Sequence, residues 1–386
     1  MKKNILVIDD SALMRRVLSD IINSDNRFQV IEVASNGLDA LSLLQSRGKE
    51  FDAILLDINM PRMNGIELLA ELKQQNIKIT VIIVSTITKK DAKETIRALE
   101  LGAFDFVTKP ESYLEVKNNI FSDRILECLI AATYSTISTN IDMNSQEDIE
   151  ASAKAGSRTK TTTVSVNGPG KKEPTGQDKE VTPKKSVTEF TKGTNKLVAI
   201  ACSTGGPKAL HTLIPNLPVN LDACVLIVQH MPGGFTKSLA DRLNDLSPLT
   251  VMEAEDGEIL KKGNVYMAKG GYQMRLQKRS DGQHILSILE EPPRHGLLPC
   301  ADIMYESLVN TDFDQITCVV LTGMGGDGTN GITQLNKRKN IYVIAQNEET
   351  CIVYGMPKVI TDAGLVDEVV ALSDISDAII KNVGVR

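Results

Sequence analysis

Six cysteines are scattered over the 386 residues, at 128, 202, 224, 300, 318 and 351, and no two stand as a CxxC pair. That spread fits reduced thiols in a cytosol better than a disulfide framework or a zinc site. No apolar run approaches the ~20 residues of a membrane span. The opening "MKKNILVIDDS" has two lysines but too short an apolar stretch for a signal peptide, so no membrane insertion and a cytoplasmic location are expected. Positive charge is not in excess: the net charge of -6 argues against broad attraction to nucleic acid. Histidine is scarce, with four in the whole chain, so chemistry that needs an imidazole has few candidates. No internal repeat is visible. The length exceeds one ordinary core and predicts two or three domains.

What is present divides into two ordered stretches. Residues 1–133 alternate short apolar strands (5–8, 53–56, 80–84, 104–107) with amphipathic segments such as 12–23 and 64–75, the rhythm of a parallel α/β sheet. Residues 134–194 are rich in Ser, Thr, Lys, Gly and Pro; burying so little apolar surface, they are expected to form a flexible linker. Order returns over 195–386, with strands expected at 197–202, 224–229, 264–268, 283–289, 317–322 and 341–345 and helices after several of them. The expected architecture is two doubly wound α/β domains with mainly parallel sheets.

In the first stretch Asp9 and Asp10 follow "ILVI", Asp57 follows "AILL", Ser85 follows "VIIV", and Lys109 follows "FDFVT". Residues just past the carboxyl ends of parallel strands meet in one crevice. Carboxylates gathered there repel one another unless a cation sits among them, and hard oxygen ligands suit Mg²⁺. Asp57 could then attack a phosphoryl donor, with Lys109 and the Ser85 hydroxyl stabilising the phosphoryl oxygens. Each carboxylate alone could equally be a helix cap or a solvated loop residue. "VIDDS", "LLDINMPRMNGIELL", "VIIVST" and "FDFVTKP", in that order, resemble the response-regulator receiver family. The resemblance implies Asp57 as phosphoacceptor, Mg²⁺ held by Asp10, Asp57 and the Asn59 carbonyl with Asp9 assisting, and switch positions at Ser85 and Phe106.

In the second stretch "LVAIACSTGGPKAL" places Ser203 where a strand turns into a helix. Two readings stay open there. Ser203 or Thr204 could cap the helix, or Ser203 could present a nucleophilic oxygen beside glycines and a helix N-terminus. A nucleophile needs a base. His211 falls inside the following helix, His284 starts a strand where it is expected to face solvent, and His295 lies on a loop and remains an alternative. His230 ends the strand "CVLIVQ" and is the first candidate. The orienting acid is expected at Asp327 in "GMGGDGTNG", whose glycines free backbone N–H groups for an oxyanion, with Asp302 as the alternative.

The order Ser, His, Asp, with Ala201 where G-x-S-x-G has its first glycine, points away from the α/β-hydrolases. "GMGGDG" also satisfies G-x-G-x-x-G, leaving a dinucleotide-binding module as one rival, and a receiver-controlled DNA-binding regulator is another, although no basic helix-turn-helix appears after residue 195.

"CSTGGPKAL", "VQHMPGGFT", "AEDGEILKKGNVYMAKGG", "LTGMGGDGTNG" and "QNEETCIVYGMPKVI" together resemble the chemotaxis protein-glutamate methylesterase family over nearly all of 195–386. The resemblance implies hydrolysis of γ-glutamyl methyl esters on the cytoplasmic helices of methyl-accepting chemoreceptors and deamidation of receptor glutamines. It implies a chemotaxis histidine kinase as phosphodonor, and no cofactor in the catalytic domain. Ser203 matches the nucleophile, His230 the base, Asp327 the acid, the Met324 N–H an oxyanion donor, and Thr204 a residue of the same pattern. Ala201, Cys202, Lys269 and Gln273 depart from it. A Cys202 nucleophile is disfavoured, since neighbours on a strand point to opposite faces. The unphosphorylated receiver is expected to cover the Ser203 crevice.

Overall fold

A computed structural model describes residues 1–110, 120–134 and 195–386 of the chain. The expected linker, 134–194, falls outside the described residues apart from Tyr134, which ends a helix.

The first unit is a five-stranded parallel sheet of β1 (Lys3–Ile8), β2 (Phe28–Ala34), β3 (Ala53–Asp57), β4 (Thr80–Ser85) and β5 (Asp105–Thr108), ordered β2-β1-β3-β4-β5. Helices α1 (Ala12–Ser24), α2 (Gly37–Arg47), α3 (Gly65–Gln74), α4 (Lys89–Leu101) and α5 (Ile120–Tyr134) accompany it. Their starts are written locally: Ser11, Asn36, Asn64 and Thr88 each cap the following helix with a side-chain oxygen. β3 is buried along its whole length, as a central parallel strand must be, and reads as an unbroken apolar run up to Asp57. β2 was not among the expected strands. It lies at the sheet edge with its middle residues part-exposed, which blurs its pattern.

The second unit has a seven-stranded parallel sheet ordered β14-β13-β12-β6-β7-β9-β8. Its strands are β6 (Lys196–Cys202), β7 (Cys224–Gln229), β8 (Thr250–Glu253), β9 (Asn264–Met267), β12 (Gln315–Val320), β13 (Ile341–Gln346) and β14 (Glu368–Val370). Between β9 and β12 the chain makes an antiparallel hairpin of β10 (Gln273–Lys278) and β11 (His284–Leu289). The helices are α6 (Gly206–Leu213), α7 (Phe235–Leu246), α8 (Ala301–Ser307), α9 (Thr329–Asn336), α10 (Met356–Asp362) and α11 (Ile375–Val383). The edge strands β8 and β14, four and three residues long, were also not anticipated.

In both sheets the chain starts near the middle and works outward to each side. This leaves a switch point between β1 and β3 in the first and between β6 and β12 in the second. Ligands of open α/β sheets bind in such crevices, past the strands' carboxyl ends.

The two units touch extensively. α4 lies against α6 and α7, and one apolar cluster runs without interruption from Ile83 and Phe106 of the first sheet to Ile200 and Phe235 of the second. The Phe106 and Phe235 rings are 4.6 Å apart, tilted by 30°. Around them Glu100 on α4 meets Arg242 on α7 at 2.6 Å and His211 on α6 at 3.1 Å.

Candidate active site and phosphoacceptor site

The first crevice gathers the residues expected there. Carboxylate oxygens of Asp9, Asp10 and Asp57 lie within 4.8 Å of one another, with Asp9 and Asp57 buried and Asp10 exposed. Lys109 Nζ sits 2.8 Å from Asp9 Oδ2 and 2.9 Å from Asp57 Oδ2. One cation among three carboxylates leaves the cluster short of positive charge. Asp9 Oδ2, although within ion-pair range of Lys109, has no aligned hydrogen-bond donor. Both facts fit a hard divalent cation. Burial pushes the Asp57 carboxyl up, against the pull of Lys109. Burial works to lower the Lys109 ammonium, but the carboxylates of Asp57 and Asp9 outweigh it and raise it.

Ser85 ends β4 with its hydroxyl buried, accepting from Thr95 Oγ1 at 2.9 Å. The Asn59 side chain turns away to donate to Asp91 at 2.8 Å, and its backbone N–H bonds the Asp57 carboxylate. Phe106, on β5, points into the contact between the two units.

In the second crevice the register places the candidate residues. β6 pairs with β7 so that Cys202 faces Gln229, which sets Ser203 and His230 side by side one residue further out. On the other flank β12 pairs Val320 with Ala201, and Ser203 N donates to Thr322 O at 3.1 Å. Gln229, fully buried, ties the first pair together, its Nε2 donating to Ser203 O at 3.0 Å and to His230 O at 3.2 Å. Sequence reading missed it; the signal was a polar residue ending an otherwise apolar buried strand.

Capping does not explain Ser203 or Thr204. The N-cap of α6 is Gly205, and neither side chain bonds the helix.

His230 and Asp327 meet directly, Nε2 to Oδ2 at 2.8 Å. A carboxylate can only accept, so the proton between them sits on Nε2, and in the neutral ring the lone pair is then on Nδ1. No hydrogen bond joins the Ser203 hydroxyl to His230 among the described residues. Asp327 also accepts from Ala301 N (2.6 Å), Asp302 N (3.0 Å), Gly328 N (3.0 Å) and Cys300 Sγ (3.1 Å). Burial works to raise its carboxyl, but the His230 contact and these N–H donors outweigh that and bring it down to about 2. Asp327 is thus a committed anion. The Met324 N–H has no hydrogen-bond partner among the described residues, and Met324 is exposed.

The other candidates separate from this group. His295 lies exposed on its loop. His284, expected to face solvent, is instead buried, stacked on Phe313 at 4.4 Å with Asp312 at 2.8 Å from Nε2. The hairpin folds back on the loop before β12, which strand alternation alone did not reveal. His211 faces Glu100 of the first unit. Cys202 is enclosed, its thiol pushed far up by burial and aimed at Val228 O. Gln273 is buried and bonds Cys300 N (2.9 Å) and Leu297 O (3.2 Å), bracing the loop that leads into α8. Lys269 stacks over the Tyr272 ring.

A second missed contact crosses between the units. Thr204, next to Ser203, donates its hydroxyl to Asp105 Oδ2 on β5 at 2.8 Å, and both residues are buried. Ser203 itself is 6% exposed.

A sheet with aspartates and a lysine at its switch point, docked on a second sheet with a histidine–aspartate pair beside a strand-end serine, defines a receiver-coupled hydrolase class. Comparison with known proteins narrows it. Residues 5–121 match the response regulator receiver domain and residues 198–379 the CheB methylesterase domain. Over 98% of the chain and 99% of the relative, it is 36% identical to protein-glutamate methylesterase/protein-glutamine glutaminase 1 of Syntrophomonas wolfei. The corresponding protein of Bacillus subtilis is 38% identical over 97% of each chain. Among solved structures, the Thermotoga maritima CheB methylesterase catalytic domain is 40% identical, covering 49% of this chain and 98% of that one, with a TM-score of 0.47. The response regulator domain of Thermotoga maritima CheB is 38% identical over 34% of this chain and 97% of that one, TM-score 0.31.

The chain belongs to the protein-glutamate methylesterase/protein-glutamine glutaminase family, hydrolases of chemotaxis that carry a response regulator receiver domain.

Proposed function

We propose that this chain hydrolyses γ-glutamyl methyl esters, and deamidates selected glutamines, on the cytoplasmic helices of methyl-accepting chemoreceptors. Ser203, His230 and Asp327 carry the reaction, and phosphorylation of Asp57 by a chemotaxis histidine kinase controls it in the cytoplasm. In this reading residues 1–133 are the receiver, 134–194 the linker and 195–386 the catalytic domain. The observation that supports it best is the 2.8 Å His230–Asp327 contact beside the strand end bearing Ser203.

His230 Nδ1 takes the Ser203 proton as the oxygen attacks the ester carbonyl; Asp327 holds the ring and stabilises the imidazolium. The unpartnered Met324 N–H donates to the developing oxyanion, a contact of a kind whose loss costs about 10² to 10³ in rate. Methanol leaves with the proton from His230; water, deprotonated by the same nitrogen, then attacks the acyl carbon, and the Ser203 oxygen departs taking that proton back, freeing the glutamate carboxylate. A glutamine amide follows the same course, releasing ammonia. Nothing in these steps calls for a cofactor in the catalytic domain.

Control follows from the docking. A helical substrate must reach Ser203, which the receiver now covers through Thr204–Asp105 and Phe106–Phe235. Mg²⁺ held by Asp9, Asp10, Asp57 and the Asn59 carbonyl would offset phosphoryl charge at the acceptor. A phosphoryl group on Asp57, steadied by Lys109, adds oxygens that draw the Ser85 hydroxyl toward it. Because Ser85 bonds Thr95 on α4, this pull reaches the docked helix and the Phe106 contact.

The test is methanol release from a methylated chemoreceptor cytoplasmic fragment, with and without a small phosphodonor and Mg²⁺. Ser203→Ala is expected to release none. Asp57→Asn, or EDTA, is expected to abolish the phosphodonor's stimulation and leave the basal rate. Full activity of Ser203→Ala would overturn the catalytic reading; equal rates with and without phosphodonor would overturn the regulatory one.

A further inference from the structure

Asp327 sits at the entrance to α9, on a glycine-rich loop that has no intrinsic stiffness. What fixes it is a second buried acid. Asp302, in the first turn of α8 and 3% exposed, sends Oδ1 to Gly328 N at 3.0 Å and Gly331 N at 2.7 Å, the amides that open α9. Asp327 in return accepts from Ala301 N and Asp302 N, the amides that open α8. Each carboxylate caps the other's helix. α9 has no cap of its own, because its N-cap is Gly328. The cross-capping therefore replaces the local device used by α1 to α4.

The geometry points to Asp302 as a positioning residue for hydrolysis, one that touches no substrate but fixes where the Asp327 carboxylate meets His230. This rests on the catalytic roles proposed above.

Three observations support it. The two helices approach so closely that a Cβ on Gly331 would lie 2.7 Å from Asp302 O and 2.9 Å from Asp302 Cα, so only glycine lets the Asp302 carboxylate reach these amides. Asp302 is ionisable and buried, a costly choice for mere packing, where an apolar residue would serve. Burial, with the charge of Asp327 adding, raises the Asp302 carboxyl, whereas Asp327 is held low, so the two neighbours are driven apart in acidity. The cluster leaves Asp327 Oδ2 shared between His230 and Ala301 N, while Oδ1 accepts from Asp302 N, Gly328 N and the Cys300 thiol.

The experiment compares kcat and KM for methanol release from the methylated receptor fragment, in the full chain, for Asp302→Ala, Asp302→Ser and Asp302→Asn. His230→Ala and Asp327→Ala run alongside, with thermal melting of each variant. Asp302→Ala is expected to lose about 10²-fold in kcat with KM unchanged, the loss typical of ~1 Å misplacement at a reacting centre. Asp302→Asn, which keeps an acceptor oxygen, is expected to recover most of it. The downfield proton resonance of His230 Nε2–H should weaken in the alanine form and persist in the asparagine form. If alanine prevents folding, Asp302→Ser, whose oxygen is too short to reach both amides, carries the same kcat expectation. Wild-type kcat in a folded alanine or serine variant, or an asparagine variant as impaired as alanine, would overturn the inference. If His230→Ala and Asp327→Ala keep full activity, the catalytic assignment itself fails, a distinguishable result.

Discussion

The Thr204 hydroxyl donates to Asp105 across the boundary between the two units, one residue from Ser203 and one from Phe106. A single hydrogen bond thus joins the neighbour of the proposed nucleophile to the neighbour of Phe106, the proposed switch aromatic. Both ends are buried, and Asp105 also meets Arg124 at 3.4 Å and the Phe106 N–H at 2.9 Å, so its position is tied to the receiver's own β5 and α5.

Asp105→Ala should therefore raise the unphosphorylated esterase rate. A hydrogen bond to a charged acceptor is worth about 1.5–3 kcal/mol, and losing the lower figure shifts the docking equilibrium roughly tenfold. Turnover without phosphodonor is the measurement. An unchanged basal rate would mean that this bond does not hold the receiver down.

At the periphery of the same contact Glu100 meets Arg242 and His211. These groups are partly solvated, so the pair contributes about 0.2–1 kcal/mol, a few-fold at most. Glu100→Arg is expected to raise basal activity modestly, and adding Arg242→Glu to restore repression, with both effects fading at high salt. Failure of the charge swap to restore repression would show that the ion pair is incidental.

Asp327 makes stability depend on acid. Its folded value, about 2, lies below the ordinary aspartate range, so its contribution is fully present above that range and is lost as pH falls through about 2. The amount is about 2–3 kcal/mol. Asp57 and Asp302 are shifted the opposite way and act with opposite sign, so the measurement must be a difference. The gap in unfolding free energy between wild type and Asp327→Asn should narrow from pH 5 toward pH 2, by denaturant titration. A gap constant over that interval would contradict the assignment.

Gly323 lies against Ser203. A Cβ there would stand 2.8 Å from Ser203 Cβ, 3.1 Å from Ser203 N and 2.4 Å from Met356 Sδ. Gly323→Ala should cost about 1–3 kcal/mol through overpacking. It should also lower kcat by displacing Ser203, seen as a lower melting temperature together with slower methanol release. Wild-type values of both would show that the site yields more readily than its packing implies.

Much of this was open to reading in the chain itself. The first sheet's acids, Ser85 and Lys109 stand at the ends of unbroken apolar runs, and a parallel sheet must bring such ends together. The same rule brought Ser203, His230 and Asp327 to one rim, because strand ends are visible in local sequence. β2, β8 and β14 escaped because edge strands are short or part-exposed, and β10 because half of this hairpin strand is not buried, so each loses the apolar signal. His284 was misplaced because burial from a neighbouring loop leaves no mark on strand alternation.

Sequence alone determined the chemistry available and the strand ends that carry it, since both depend on residue type and on patterns a few residues long. Tertiary structure alone decided that Asp302 N meets Asp327 across 25 residues and Gln229 bridges Ser203 to His230. It alone decided that Thr204 meets Asp105 across 99. These contacts depend on register between strands and on the docking of one sheet upon another, which no local pattern encodes.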